Sequence, residues 1–524
     1  SLDFHVFDKF TVANAIVGAA STQTISGNLA VTGELHSEDF RPVNVYTTGI
    51  GTFLGGINPT DAQGNSIVGE NAGDSFSGTD ATNNTLIGYD AGTAITTGDS
   101  NVAVGKDALK ANTTASNNTA LGSYTLAANT TGANNTGVGY ATLEANTTAD
   151  NNTAIGYDAL GLTTTGTENT AVGSKALDAN TTADGNTALG YEALTANTTG
   201  NTNTALGRKA LYTNTIGDRN VAVGNGALYT YNPASNEDSY NTAVGYAALN
   251  LDTTGKKNTA IGGEALAANT TADNNVAVGY DALTANTTGG YNAALGNTAL
   301  GANTTGAYNT ALGYAALGAN TTASENTAVG NQALEANTTG EQNCAFGYRT
   351  LEANTTADHN TAFGHQALKL NTTGSENVAV GANALDSNTT ASYNTALGYN
   401  ALEANTTGYS NVAVGQNALD ANTTGYNNTG IGKDALGANT EGLENTAVGK
   451  DALQTNTTGD SNVAVGLQAL NANTTANDNT AVGNKALLTN TTGANNTAVG
   501  SFAIRDNTTG AQNVAMGRNA LVSN

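Results

Sequence analysis

From Asn101 onward, apolar and polar residues alternate in a phrase that keeps returning. Its first regular copy runs Asn101-Val102-Ala103-Val104-Gly105-Lys106-Asp107-Ala108-Leu109-Lys110-Ala111-Asn112-Thr113-Thr114-Ala115-Ser116-Asn117. The leading Asn recurs at 27 sites from Asn65 to Asn513, and 24 of the 26 spacings are 17 residues. The exceptions are 19, between Asn65 and Asn84, and 21, between Asn220 and Asn241. A short fixed period marks a stacked-repeat architecture and replaces the multi-domain expectation that length alone would suggest.

Numbering each coil from its leading Asn as position 0 exposes the pattern. Position 4 is Gly in all 27 coils. From Asn101 on, position 2 is Ala except at Gly137 and Gly430, and position 3 is always apolar. Position 8 is Leu from Leu109 on, with Ile504 the one substitute, and positions 11 to 13 are mostly Asn-Thr-Thr. Alternation over positions 0 to 5 predicts a short strand, with 0, 2 and 4 on one face and 1, 3 and 5 on the other. The Asn/Ala/Gly face has so little volume that another backbone is expected to approach it closely. The apolar residue at position 3 is expected in a core layer. Asn-Thr-Thr-Gly is turn chemistry.

The fold class predicted is therefore all-β: an elongated parallel β-solenoid or β-roll of 17-residue coils. At a ~4.8 Å interstrand spacing the rod is roughly 130 Å long. Stacked Asn side chains are expected to form ladders. One small coil buries little apolar surface, which predicts three chains sharing a core, a homotrimeric fibre, with a single-chain solenoid as the alternative.

Three regions follow. Residues 1–47 lack the repeat; Phe4, Val6, Phe7 and Phe10 cluster at the start, and Thr24 to Leu35 alternates around Gly, so an attachment or cap region with short strands is expected. Residues 48–100 are a transition with irregular coils, in which Gly73 and Gly92 stand where later coils place Leu. Residues 101–524 are the regular shaft, interrupted by an insertion at about 225–240.

Composition narrows the partners. With 17 basic and 42 acidic residues the net charge is −25, which disfavours nucleic acid and anionic membrane surfaces. No apolar run reaches transmembrane length, so no membrane insertion is expected. Only 11% of residues are charged; the polarity is mostly Asn and Thr. Cys344 is the one cysteine, so there is no disulfide framework. The start, Ser1-Leu2-Asp3-Phe4-His5, shows no signal-peptide pattern.

Candidate chemistry is sparse. Asp and Glu scatter over positions 6, 9, 15 and 16 instead of pairing in a pocket, and no nucleophile elbow or phosphate loop occurs. The reading is non-enzymatic, with no catalytic, cofactor or metal residues and no cofactor. His359 and His365 lie six apart and are read as surface variation ahead of a metal ring. Cys344 sits in a Thr slot as a small thiol. Tyr recurs at position 5 (Tyr140, Tyr157, Tyr191, Tyr246, among others), where rings are expected to cover neighbouring coils. The insertion carries Tyr229, Tyr231, Asn232, Asp238 and Tyr240, the residues singled out for possible receptor or glycan contact, because loops on rigid scaffolds carry recognition. A neutral insertion that bulges from the rod is the alternative. Adjacent Thr-Thr points its side chains to opposite faces, which disfavours an ice-binding array.

The phrase Asn-Thr-Ala-Val-Gly-Tyr-Asp-Ala-Leu followed by Asn-Thr-Thr-Gly resembles repeats in bacteriophage tail-fibre-type proteins. Coils such as Asn377-Val378-Ala379-Val380-Gly381 are also similar to the strand motif of trimeric autotransporter adhesin heads, whose coils are shorter. The resemblance implies a homotrimeric virion tail-fibre shaft that spaces or presents host-receptor binding, extracellular, attached to the virion or a surface anchor through residues 1–47. A host-surface glycan or protein is the implied partner. The alternatives are the passenger region of an adhesin on a bacterial cell surface, and an ice- or polysaccharide-binding solenoid.

Overall fold

In the computed structural model, residues 63–76, 80–236 and 238–523 are described. All fall in the second of two units, Pro59–Asn524. The expectations for residues 1–47, and for the first part of the 48–100 transition, lie outside the described residues.

The described residues form a parallel β-solenoid without helices. Every coil holds one three-residue strand, from β1 (Ser66–Val68), β2 (Thr85–Ile87) and β3 (Val102–Val104) to β27 (Val514–Met516). Each strand pairs in parallel with the next in chain order, in a register that matches coil positions: Val102 faces Thr119, Ala103 faces Ala120 and Val104 faces Leu121. The 19- and 21-residue coils keep this register, pairing Ser66 with Thr85 and Val221 with Thr242.

The invariant Gly makes the corner after the strand. Gly105 has φ of 139°, and a Cβ there would lie 2.4 Å from the Gly122 carbonyl oxygen of the next coil. Beyond it, φ is positive at position 6, negative at 7 and positive again at 8: Asp107 at 57° and Leu109 at 51°. This alternation turns the segment neither into a second strand nor into a helical turn. A left-handed leucine costs about 1–2 kcal/mol. Full burial of its side chain returns about 1.5–3 kcal/mol. Its backbone is also satisfied, since Leu109 N–H donates to the Thr125 carbonyl at 3.1 Å.

The core lies inside each coil. Ala103, Ala108 and Leu109, at positions 2, 7 and 8, are completely buried, and their equivalents form one continuous apolar column. Two expectations are corrected here. The small Asn/Ala/Gly face meets the chain's own Ala-Leu segment, not another chain, because the Gly corner folds position 8 back over position 2. The apolar residue at position 3 is not in the core: Leu121 is 46% exposed and Phe363 55%. The argument that one chain must share its core with others therefore does not hold for the coil interior.

Two buried Asn columns close the coil. Asn101 Nδ2 donates to the Ala115 carbonyl at 2.9 Å, and Asn112 Nδ2 reaches the same carbonyl at 3.0 Å. Asn101 Oδ1 accepts the Asn118 N–H at 3.0 Å, and Asn112 Oδ1 accepts from Asn129 Nδ2 at 3.1 Å. Each amide thus satisfies its own coil and links to its neighbour, which a buried polar column requires. Thr113 Oγ1 extends the scheme to the Thr130 carbonyl at 3.1 Å.

The early coils repack the same volume. In the coil from Asn84, Gly92 occupies the leucine slot while Leu86 and Ile95 replace the usual Ala and Asn. A Cβ on Gly92 would meet Leu86 Cδ2 at 2.8 Å and Ile95 Cδ1 at 2.9 Å. The large side chain has moved across the core, so density is conserved.

Candidate functional site: the surface around the coil insertion

The coil from Asn220 to Tyr240 carries four residues beyond the usual 17. It places Tyr231 at position 11, where almost every other coil has Asn. A tyrosine there makes Tyr231 wholly buried. With the buried Pro233 it packs on Gly217, where an added Cβ would lie 2.8 Å from Tyr231 Cε1 and 3.1 Å from Pro233 Cγ. The insertion is therefore pinned inward by an aromatic ring instead of simply bulging. Tyr231 is removed from the candidate contact residues, because its ring belongs to the core.

Asn232 is exposed, but its Oδ1 is committed. It accepts from Thr215 N–H at 3.2 Å and Thr215 Oγ1 at 2.6 Å, while its own N–H donates to the Thr253 carbonyl at 2.9 Å. Asn232 stitches the insertion to the coils on either side.

The other three candidates build two aromatic clusters. Tyr229 stacks on Tyr212 with ring centroids 5.0 Å apart and planes 6° from parallel. Lys209 Nζ lies 4.7 Å from the Tyr212 centroid and 6.0 Å from that of Tyr229. Separately, Asp238 pairs with Arg219, and Tyr240 O–H donates to Asp238 Oδ2 at 3.0 Å. The Arg219 guanidinium lies 5.7 Å from the Tyr240 ring centroid. Arrays of this kind offer stacking faces and fixed cationic donors, the elements that grip sugar rings and their anionic substituents.

Sequence reasoning missed Lys209, Tyr212 and Arg219, because they belong to the regular coil that precedes the insertion. The signal was available in the register: Tyr212 and Tyr229 both stand at position 9. The coil from Asn203 to Arg219 also carries Arg208, Lys209 and Arg219, a local excess of cations on an acidic chain.

Elsewhere the side chains read as surface structure. Tyr140 and Tyr157 stack at 5.7 Å, and His365 stacks on Tyr348 at 5.4 Å. His359 lies beside Glu376 in a shallow open depression. Cys344 is half-buried at position 1, between Thr327 and Thr361, and burial pushes its thiol pKa up. Among the described residues no three His, Cys, Asp or Glu converge as metal ligands, and no helix is long and apolar enough to cross a membrane. Among the described residues the one strongly perturbed buried acid is Asp252, at position 11 of the coil after the insertion, where desolvation pushes its pKa up to about 8. Comparison with protein-family models and with curated proteins finds no match to this chain, so its functional reading rests on the repeat and its surface.

Proposed function

We propose that this chain is the non-enzymatic shaft of a homotrimeric fibre of the tail-fibre type, which holds a host-binding function away from a virion. The observation that carries the reading is monotony. From Asn101 on, coil after coil preserves one register and nearly one core, as a spacer needs, and most variation lies at surface positions and in one insertion. Stacked coils rising ~4.8 Å each give a rod of roughly 130 Å. In this reading residues 1–47 attach the shaft to the virion. The Lys209–Tyr212–Tyr229 stack and the Arg219–Asp238–Tyr240 cluster meet a host-surface glycan. Attachment of a bacterial adhesin passenger to a cell surface is the second reading, favoured by the Asn-Val-Ala-Val-Gly strands. An ice-binding role draws no support from the Thr rows, because the position-12 hydroxyls donate to carbonyls and leave position 13 as the exposed row.

Immunogold electron microscopy with antibodies raised against residues 101–524 tests this reading. Labelled filaments projecting from phage particles are expected. Label confined to the bacterial envelope would overturn the virion reading in favour of the adhesin.

A further inference from the structure

We infer that the outward face of the parallel sheet, positions 1 and 3 of every coil, is the surface through which copies of this chain associate, side by side, parallel and in register. The inference rests on the multi-chain shaft reading and specifies the face that serves it.

The first observation is chemical. The 27 strands from Ser66–Val68 to Val514–Met516 present two outward columns, and none of those residues is Asp, Glu, Lys, Arg or His. The chain has 42 acidic residues, and all of them lie elsewhere. Position 1 is Thr or Val with few exceptions, and position 3 is Val, Leu, Ile, Phe or Met. Depletion of charge with retention of apolar side chains is the composition of an interface centre. A solvated sheet face on so acidic a protein would carry some of its charge.

The second observation is architectural. Parallel sheets are normally covered on both faces. Here the coil interior covers one, and the other leaves Leu295 at 48%, Leu312 at 41% and Leu397 at 47% exposed. Two columns of side chains along 27 rows at ~4.8 Å make a stripe on the order of 1,000 Å² per chain, above the ~800 Å² per partner of a stable interface.

Periodicity selects the occupant. A globular partner covers a few rows. Only a surface with the same axial repeat meets all of them, and another copy of this chain has that repeat. Parallel copies related by an axis along the rod bring like rows to one height, so the aromatic rows Phe346 and Phe363, stacked at 5.3 Å within a chain, meet their own kind. Cys344, in the same strand as Phe346, then lies at one height in every copy.

The test uses the full chain and its native thiol. Sedimentation equilibrium should give a multiple of 52.2 kDa, and a short bismaleimide should link Cys344 to Cys344, a product lost in Cys344→Ser. The triple variant Leu295→Lys, Leu312→Lys, Leu397→Lys should raise the dissociation concentration at least 100-fold with its circular dichroism unchanged. Thr288→Lys with Thr305→Lys, on the exposed position-13 row, should leave assembly as it was. A monomeric wild type overturns this inference and the multi-chain shaft together. A multimer that lacks the 344–344 link, or a folded triple variant that assembles normally, overturns the inference alone; should the triple variant fail to fold, the cross-link decides.

Discussion

Asn269 Nδ2 donates to Asp252 Oδ1 at 3.1 Å, continuing the buried amide column through a residue that is not an amide. Asp252 Oδ1 also accepts the Gly255 N–H at 2.9 Å, while its Oδ2 is buried with no partner. Asn in this slot uses Nδ2 to donate to the position-14 carbonyl, as Asn269 does to Ala272 at 3.1 Å. A carboxylate has no hydrogen to give there; a carboxylic acid does.

Asp252 therefore makes stability depend on pH. Desolvation raises its pKa from 3.8 to about 8, so between these values the folded chain keeps a proton that the unfolded chain has released. Stability is greatest below about pH 4 as far as this group is concerned. It then falls by ~1.4 kcal/mol per pH unit until pH 8, a total on the order of 5 kcal/mol. Asp252→Asn restores the missing donor, so the variant should melt higher than wild type at pH 8 and show a flatter profile between pH 5 and 8. Parallel thermal-melt profiles for the two proteins would remove this account.

The inward and outward apolar columns should respond differently to truncation. Leu317 is wholly buried at position 8, and Leu312 is 41% exposed at position 3. Leu317→Ala should cost about 2–4 kcal/mol through lost burial and a cavity. Leu312→Ala should cost under ~1 kcal/mol within one chain. Denaturant melts of dilute protein compare the two, and equal losses would mean that the core has been assigned to the wrong face.

Glycines should divide by position. Gly296 has φ of 145°, and a Cβ there would lie 2.2 Å from the Gly313 carbonyl oxygen. Gly301, at position 9, meets nothing nearer than the Thr298 carbonyl oxygen at 3.2 Å, and other coils carry Lys110 or Glu144 in that slot. Gly296→Ala should lose more than ~3 kcal/mol through strain and overpacking. Gly301→Ala should change stability by less than ~1 kcal/mol and can raise it. Hydrogen exchange of the flanking coils reports where the stack opens.

Within the insertion, Tyr231→Ala should act as a core mutation, losing about 3–5 kcal/mol. Tyr229→Ala and Lys209→Ala should leave folding nearly unchanged and weaken retention on anionic glycans at least fivefold, measured on a glycan array. If glycan retention survives both substitutions, the stack beside the insertion is structural only.

The period, a short strand in each coil, the invariant glycine and the amide columns were legible in the residues, because each follows from spacing and side-chain type; the strand covers positions 1 to 3 where alternation predicts 0 to 5. So was the compensation at Gly73 and Gly92, once the enlarged residues Ile67 and Leu86 are aligned at position 2. The candidate site was half legible: Tyr229, Asp238 and Tyr240 lie at the surface, but Tyr231 went inward and the cations came from the coil before. Alternation along a strand defines two faces without saying which is inside. That was decided by the positive φ at Gly105, Asp107 and Leu109, which curl the chain until Leu109 closes on Ala103's side of the strand. Backbone curvature of this kind leaves no mark on hydrophobic periodicity. From sequence the small Ala column leaves room for another backbone; in the fold it is the space the coil's own leucine fills, and the bulky position-3 residues are left outside.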